Sequence, residues 1–386
     1  MALVHTVSIE TATTNPALLG AFVRYVPPIL DSSPSLTATV ACCLEACKQK
    51  ELHPTQRKVL DIGLYGHALK SIHIALQDRG QRDSDATFLA VVLMQRLETA
   101  LVTKGIARIP CWSVHAGGVS DLLRYRGAFD PKNKLIFEAM LENIGPIVAH
   151  WIEKEEDCFL EAPEWQVVLQ CREDTKLADR ILLGVVGQLI FLPRLLRMFR
   201  EARDDHGSVE GAMDLAMSMA VALRNVDNML EDKLFQDVSI VSRSNAGWDA
   251  PVNCFYEDVK QKDARAICWH VILSIIINNA LVALIGLKAR SGCSKDFSGC
   301  VEELKRYNLI LSRRAWMLAT EARQCGLMVY YFYTGALVTS YKSAQSADHQ
   351  NWIISLLNEL HRSDESDALW THEIVERSSR AFTASV

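Results

Sequence analysis

Apolar residues along this chain recur at spacings of three and four, and no convincing run alternates them with polar residues. That spacing gathers side chains on one face of an α-helix, so helices should dominate and strands should be few or absent. Val59, Ile62, Leu69, Ile72 and Leu76 define one such face in a long helix that His53-Pro54 opens and Arg79-Gly80 ends. Proline suits a first helical turn and a preceding serine suits the cap, so Ser33-Pro34 predicts a helix over 36–48 with Cys42, Cys43 and Cys47 near its core stripe. Asn15-Pro16 predicts an earlier one, stopped by Pro27-Pro28. Asp83-Ser84-Asp85 predicts a further cap, with Phe88, Val91, Val92 and Leu97 turned inward. A helix over 112–126 closes at Gly127, and Gly145-Pro146 predicts a kink or break within 132–150.

The second half has the same style. Helices are expected over 177–203, 208–235, 258–290, 296–325, 326–342 and 350–360, with a short last one over 367–380. The longest stretch without helical spacing is 236–256, which holds Asn245, Gly247, Trp248 and Pro251, and it reads as a connection or a binding loop. No strict repeat is visible. The whole pattern predicts an all-α fold: one large multi-helical domain over 1–386, built of antiparallel helix pairs, solenoid-like, around an apolar pocket.

Composition supports a packed core, with 49% hydrophobic and 23% charged residues. The net charge is −5 and the pI about 6.1. There is no Lys/Arg block. The densest basic stretch, 194–203, alternates Arg with Leu, Met and Phe and runs into Asp204-Asp205, as a solvated helix face does. Direct DNA binding is therefore not expected. Eleven cysteines, an odd number, are scattered along the chain, and residues 1–10 lack the basic start of a secretory signal. Free thiols in a reducing compartment are the expectation, cytoplasmic or, alternatively, nuclear. The stretch 267–287 is apolar enough to suggest a membrane span, but His270, Ser274 and the adjacent amides Asn278 and Asn279 would be costly in lipid, so a buried core helix is expected.

Three ordered pieces carry a resemblance. The first is Ile62-Gly63-Leu64-Tyr65-Gly66-His67-Ala68-Leu69, continuing to Ala75-Leu76. The second is Ser84-Asp85-Ala86-Thr87 with Leu89, Leu93 and Leu97-Glu98. The third is Trp112, His115-Ala116-Gly117-Gly118, Leu122-Leu123 and Arg126-Gly127. Over positions 50 to 130 the set resembles the fungal-specific transcription factor domain, the effector region of zinc-cluster regulators. Physics accounts for much of it: Ser84 or Asp85 as a cap, small residues at 116–118 allowing close helix approach, and Arg126-Gly127 as a helix C-terminus. The six-cysteine cluster of such regulators has no counterpart here. Cys42, Cys43 and Cys47 have neither its spacing nor its basic residues.

Candidate chemistry is sparse. His67 and His73 are six residues apart, which does not place two metal ligands on one helix face. Asp227, Asn228, Glu231 and Asp232 form an acidic cluster, with Asp227 and Glu231 sharing a face. It reads as a solvated face or as half of a terpene cyclase metal site whose second ligand helix is missing. No phosphate loop, nucleophile elbow or dinucleotide fingerprint is present. What remains is aromatic and amide content. The candidate substrate-binding residues are Trp112, His115, Trp269, His270, Asn278, Asn279, Trp316, Tyr330 and Tyr333, with the alternative that they are plain core. No catalytic residue and no metal ligand is assigned, and no cofactor is expected. One expectation is a cofactor-free cyclase or Diels–Alderase of secondary metabolism that folds an apolar terpenoid or polyene into a reactive conformer. The other is a regulator deficient in DNA binding, which binds a small metabolite or a zinc-cluster partner. Partners are thus a small apolar metabolite, no direct DNA and no membrane, with a homodimer left open.

Overall fold

The computed structural model describes residues 20–52, 60–98, 110–170, 175–242, 250–290, 296–324, 327–361 and 370–382. Among the described residues it is mostly helical, as the spacing predicts, with one two-stranded sheet. Where the sequence suggests one helical domain, packing groups the chain into two compact units. The first takes in Met1–Lys154 with Ala162–Val168, and the second Glu155–Glu161 with Leu169–Arg362 and Leu369–Val386.

In the first unit, two 3-10 turns, Ala21–Tyr25 and Pro27–Ser32, precede α1 (Pro34–Leu52). Among the described residues the 3-10 form replaces the α-helix expected ahead of Pro27-Pro28. Helix α2 (Ile62–Gln77) begins where the Asp61 side chain accepts from the Leu64 amide at 3.0 Å. That cap corrects the start: residues 53–59 lie outside the described chain, and Leu60 and Asp61 are not helical. It also corrects the face. Ala68, Ile72 and Ala75 are buried, whereas Ile62, held in the first turn ahead of the packed surface, is 78% exposed. Asp78 then caps the one-turn α3 (Arg79–Arg82) through Gly80 and Gln81.

Ser84 caps α4 (Asp85–Leu97) by accepting from Thr87 at 3.1 Å, as read from the sequence. Phe88, Val91, Val92 and Leu97 are buried. Helix α5 (Pro110–Arg126) ends on Gly127, whose φ of 76° is the left-handed closure that glycine adopts without strain. A Cβ on Gly117 would lie 2.7 Å from the His150 ring of α6 (Lys134–Lys154), so glycine is what lets these helices touch. The break expected at Gly145-Pro146 does not occur: α6 runs through it. Pro146 has no amide to offer the Glu142 carbonyl, and the Arg96 guanidinium donates to that carbonyl instead. The short α7 (Pro163–Leu169) belongs to this unit as far as Val168.

In the second unit the single helix expected over 177–203 is two, α8 (Leu177–Leu189) and α9 (Leu192–Arg203), parted ahead of Pro193. Helix α10 (Val209–Asp237) follows. Within the stretch lacking helical spacing, β1 (Ser239–Ser242) pairs antiparallel with β2 (Cys254–Glu257), Ser239 opposite Glu257 and Ser242 opposite Cys254. Then come α11 (Gln261–Arg290), α12 (Ser298–Met317), α13 (Ala319–Gln324), α14 (Leu327–Ser340), α15 (Ala347–His361) and α16 (His372–Phe382). Helix α11 is the hub, packed against α8, α10, α12 and α14. Two segments, Asp179–Arg203 and Lys262–Arg290, are long and apolar enough to cross a membrane, and the most apolar window of the second is 67% buried within the protein. The cysteines whose state is described, Cys42, Cys43, Cys47, Cys158, Cys254, Cys268 and Cys300, are free thiols. Burial pushes the Cys42 thiol up to about 11 and the Cys158 thiol up to about 12, so both stay protonated.

Candidate functional site

The sequence reads Asp227 and Glu231 as one face of α10, and the two carboxylates meet different environments. Glu231 keeps 60% of its side chain exposed. Asp227 is 5% exposed, so for this residue the solvated-face reading is corrected. A carboxylate is tolerable there only because it is paired. Its Oδ1 accepts from Arg314 on α12, and its Oδ2 accepts from the Tyr307 hydroxyl at 2.5 Å. The other arm of the Arg314 fork donates to Glu231, so one guanidinium clamps two carboxylates a helical turn apart. Burial opposes the charge on Arg314, but Asp227 and then Glu231 outweigh it and hold the guanidinium above its ordinary value. Burial, and then the bond to Asp227, raise the Tyr307 phenol, which stays a donor.

His270 of α11 lies beneath this pair with no exposed surface. Its Nε2 is 3.0 Å from the Leu223 carbonyl and its Nδ1 is 3.8 Å from Asp227 Oδ1, beyond hydrogen-bond range. Burial depresses its basicity against the pull of Asp227 and the Leu223 carbonyl. A neutral ring with its proton on Nε2 fits the carbonyl contact. Above the pair, the Arg224 guanidinium sits 3.2 Å from the Tyr307 ring centroid. Arg224, Asp227, Tyr307 and Glu231 form much of the wall of a cleft of about 240 Å³, and Asn228, Glu303, Arg306 and Ile310 complete it.

The nominated residues fall into both units. In the first, His115 Nε2 is 2.9 Å from Glu98 Oε1, to which the Tyr65 hydroxyl also donates. Tyr65 and His115 thus meet at one carboxylate, itself buried. Trp112 belongs to α5, but its side chain lies outside what is described. In the second unit, Asn278 donates to Asn308 at 2.7 Å, and Asn308 donates to Asn279 at 3.1 Å, an amide ladder joining α11 to α12. Trp316 is buried and donates to Ser340 at 3.0 Å. Trp269 is half-buried with the Arg265 guanidinium 5.8 Å from its ring centroid. The Tyr330 side chain, on α14, is outside the described residues. Tyr333 is fully buried, and its hydroxyl has no hydrogen-bond partner among the described residues. Burial, and then the neighbouring Cys268, hold this phenol far above its ordinary value, so it stays protonated.

Sequence reasoning found Asp227 and Glu231 and missed Arg224, Glu303, Arg306, Tyr307 and Arg314. Tyr307 and Arg314 are 80 and 87 residues from Asp227 along the chain, and no local pattern announces such a pairing. Among the described residues no group of three or more His, Cys, Asp or Glu is placed to hold a metal ion. No family model matches this sequence, and neither a curated protein nor a solved structure matches it. The class of protein defined so far is an all-α chain whose second unit carries a buried acid–guanidinium–phenol network under a polar cleft.

Proposed function

We propose that the chain is a cofactor-free cyclase of secondary metabolism, built on the fold of a zinc-cluster effector domain, that promotes an intramolecular Diels–Alder-type cycloaddition of an apolar terpenoid or polyene. The supporting observation is the Tyr333 hydroxyl, buried and without an acceptor among the described residues. Thr334 Oγ1 and Thr320 Oγ1, on α14 and α13, share that condition. A buried hydroxyl left unpaired costs about 1–3 kcal/mol, so a site that keeps one gains when an acceptor arrives. A carbonyl on an otherwise apolar substrate is such an acceptor. A phenol donating to a carbonyl conjugated with the dienophile draws electron density from it, while apolar walls hold diene and dienophile in the reactive conformer. The cycloaddition exchanges two π bonds for two carbon–carbon σ bonds and releases nothing, so it calls on no nucleophile or redox partner. In this reading the solenoid-like helix pairs enclose an apolar pocket, and the protein works in the cytoplasm.

The test is to incubate the purified protein with a panel of linear terpenoid and polyene enals, with and without EDTA, and follow products by liquid chromatography–mass spectrometry. Chelator-insensitive conversion is expected. Tyr333→Phe should lower kcat by about 10² or more while the melting temperature is retained. Loss of activity with EDTA and in Asp227→Ala would instead mark a metal-dependent terpene cyclase.

A second reading is a regulatory module that holds a metabolite or a zinc-cluster partner protein without touching DNA. It draws on Asn278, Asn279 and Trp316, whose polar groups bond within the protein. Retention of a compound unchanged in the same assay, seen by native mass spectrometry, favours this reading over the cyclase.

A further inference from the structure

We propose that the cleft between α10 and α12 is a binding site for a small monocarboxylate with an apolar body, separate from the Tyr333 chemistry. The cleft offers two guanidiniums, Arg224 and Arg306, and neither makes an ion pair or hydrogen bond among the described residues. The acids beside them are already engaged: the Arg314 fork holds both Asp227 and Glu231. The Arg224 guanidinium carbon lies over the Tyr307 ring, 3.2 Å from its centroid, and Tyr307 is held in turn by its bond to Asp227. A stacked guanidinium keeps the edge of its planar fork for a ligand, and it loses little freedom when one docks. Buried Asp227, Arg314 and Tyr307 thus form a rigid floor, and Arg224 is the charge mounted on it.

The sum of charges selects the ligand. Arg224, Arg306 and Arg314 face Asp227, Glu231 and Glu303, so the site and its floor are formally neutral. A single negative charge is matched by the Arg224 fork, and Glu303 repels a phosphate dianion about twice as strongly as it repels a monocarboxylate. Ile310, 40% exposed, lines the cleft beside these groups, and Val221, 63% exposed, lies one helical turn before Arg224. An apolar body on the carboxylate covers this surface.

The experiment is isothermal titration of the intact chain at low ionic strength with hexanoate, acetate and inorganic phosphate in turn. Hexanoate should bind saturably and more tightly than acetate, with phosphate weakest. Arg224→Gln should weaken hexanoate about tenfold or more, and Arg224→Lys nearly as much, because the ammonium has no fork. Arg306→Gln should weaken it by a smaller factor, and Glu303→Gln should improve phosphate. All four variants should melt close to the parent, since none of Arg224, Glu303 and Arg306 is itself buried. Three results would overturn the site: no saturation by hexanoate up to about 20 mM, where binding is too weak to be specific, unchanged affinity in Arg224→Gln, or phosphate binding tighter than hexanoate. Because Tyr333→Phe should leave hexanoate affinity untouched, failure here is distinguishable from failure of the cyclase reading.

Discussion

Asp227 shows how much one position depends on its surroundings. Two turns of sequence suggest a hydrated acid, and the fold makes it the shared acceptor of Arg314 and Tyr307. A buried pair gives little net stability over an apolar substitute, because desolvation offsets the attraction, but removing one partner strands the other. Asp227→Asn keeps the shape and an acceptor for Tyr307 while leaving Arg314 only the exposed Glu231. It should lower unfolding free energy by about 3 kcal/mol in urea titrations. Lys305→Gln, which breaks a pair with Glu302 that is 61% and 72% exposed, should change it by less than about 0.5 kcal/mol. Equal losses in both would mean that Asp227 is not the buried clamp described.

At the scale of helices, α8 places two glycines one turn apart in opposite settings. A Cβ on Gly184 would lie 2.6 Å from Val226 Cγ2 of α10, whereas one on Gly187 would meet no described atom within 4 Å. Gly184→Ala should therefore destabilise by about 1–2 kcal/mol, overpacking outweighing the better helix propensity. Gly187→Ala should stabilise by about 0.5–1 kcal/mol. Adding Val226→Ala to Gly184→Ala should recover part of the loss, and a thermal-melt double-mutant cycle reads the coupling. The same contrast bears on what the sequence could tell. Helices, the cap at Ser84 and the closure at Gly127 are governed by residues within a few positions of one another, so the chain declares them. The continuity of α6 through Pro146 depends on Arg96, some fifty positions earlier, and the cleft depends on α10 meeting α12. Such partners are set by packing, which leaves no local mark. The division of 177–203 into two helices was hinted at by Pro193, but periodicity carries straight across it.

For the whole molecule, the buried ring of His270 couples folding to acidity. Its surroundings are Asp227, Arg314 and Arg224, and burial keeps its folded pKa below the ordinary 6.5. The unfolded chain takes up this proton at higher pH than the folded one, so the contribution is complete above about 6.5 and is lost as pH falls. Stability should drop between pH 7.5 and 5.5, and His270→Asn should show a shallower drop over the same range in chemical denaturation. Identical slopes would contradict a neutral, buried His270. The three amides that join α11 to α12 have a consequence of another kind. Sliding either helix by one turn would carry Asn278, Asn279 and Asn308 past one another, and the two that are buried, Asn278 and Asn308, would lose about 1–3 kcal/mol apiece if left unpaired. Apolar surfaces alone tolerate such slippage, so the ladder works as a key with a single notch. It adds little to how tightly the bundle holds, and it decides which of several near-equal alignments the chain accepts.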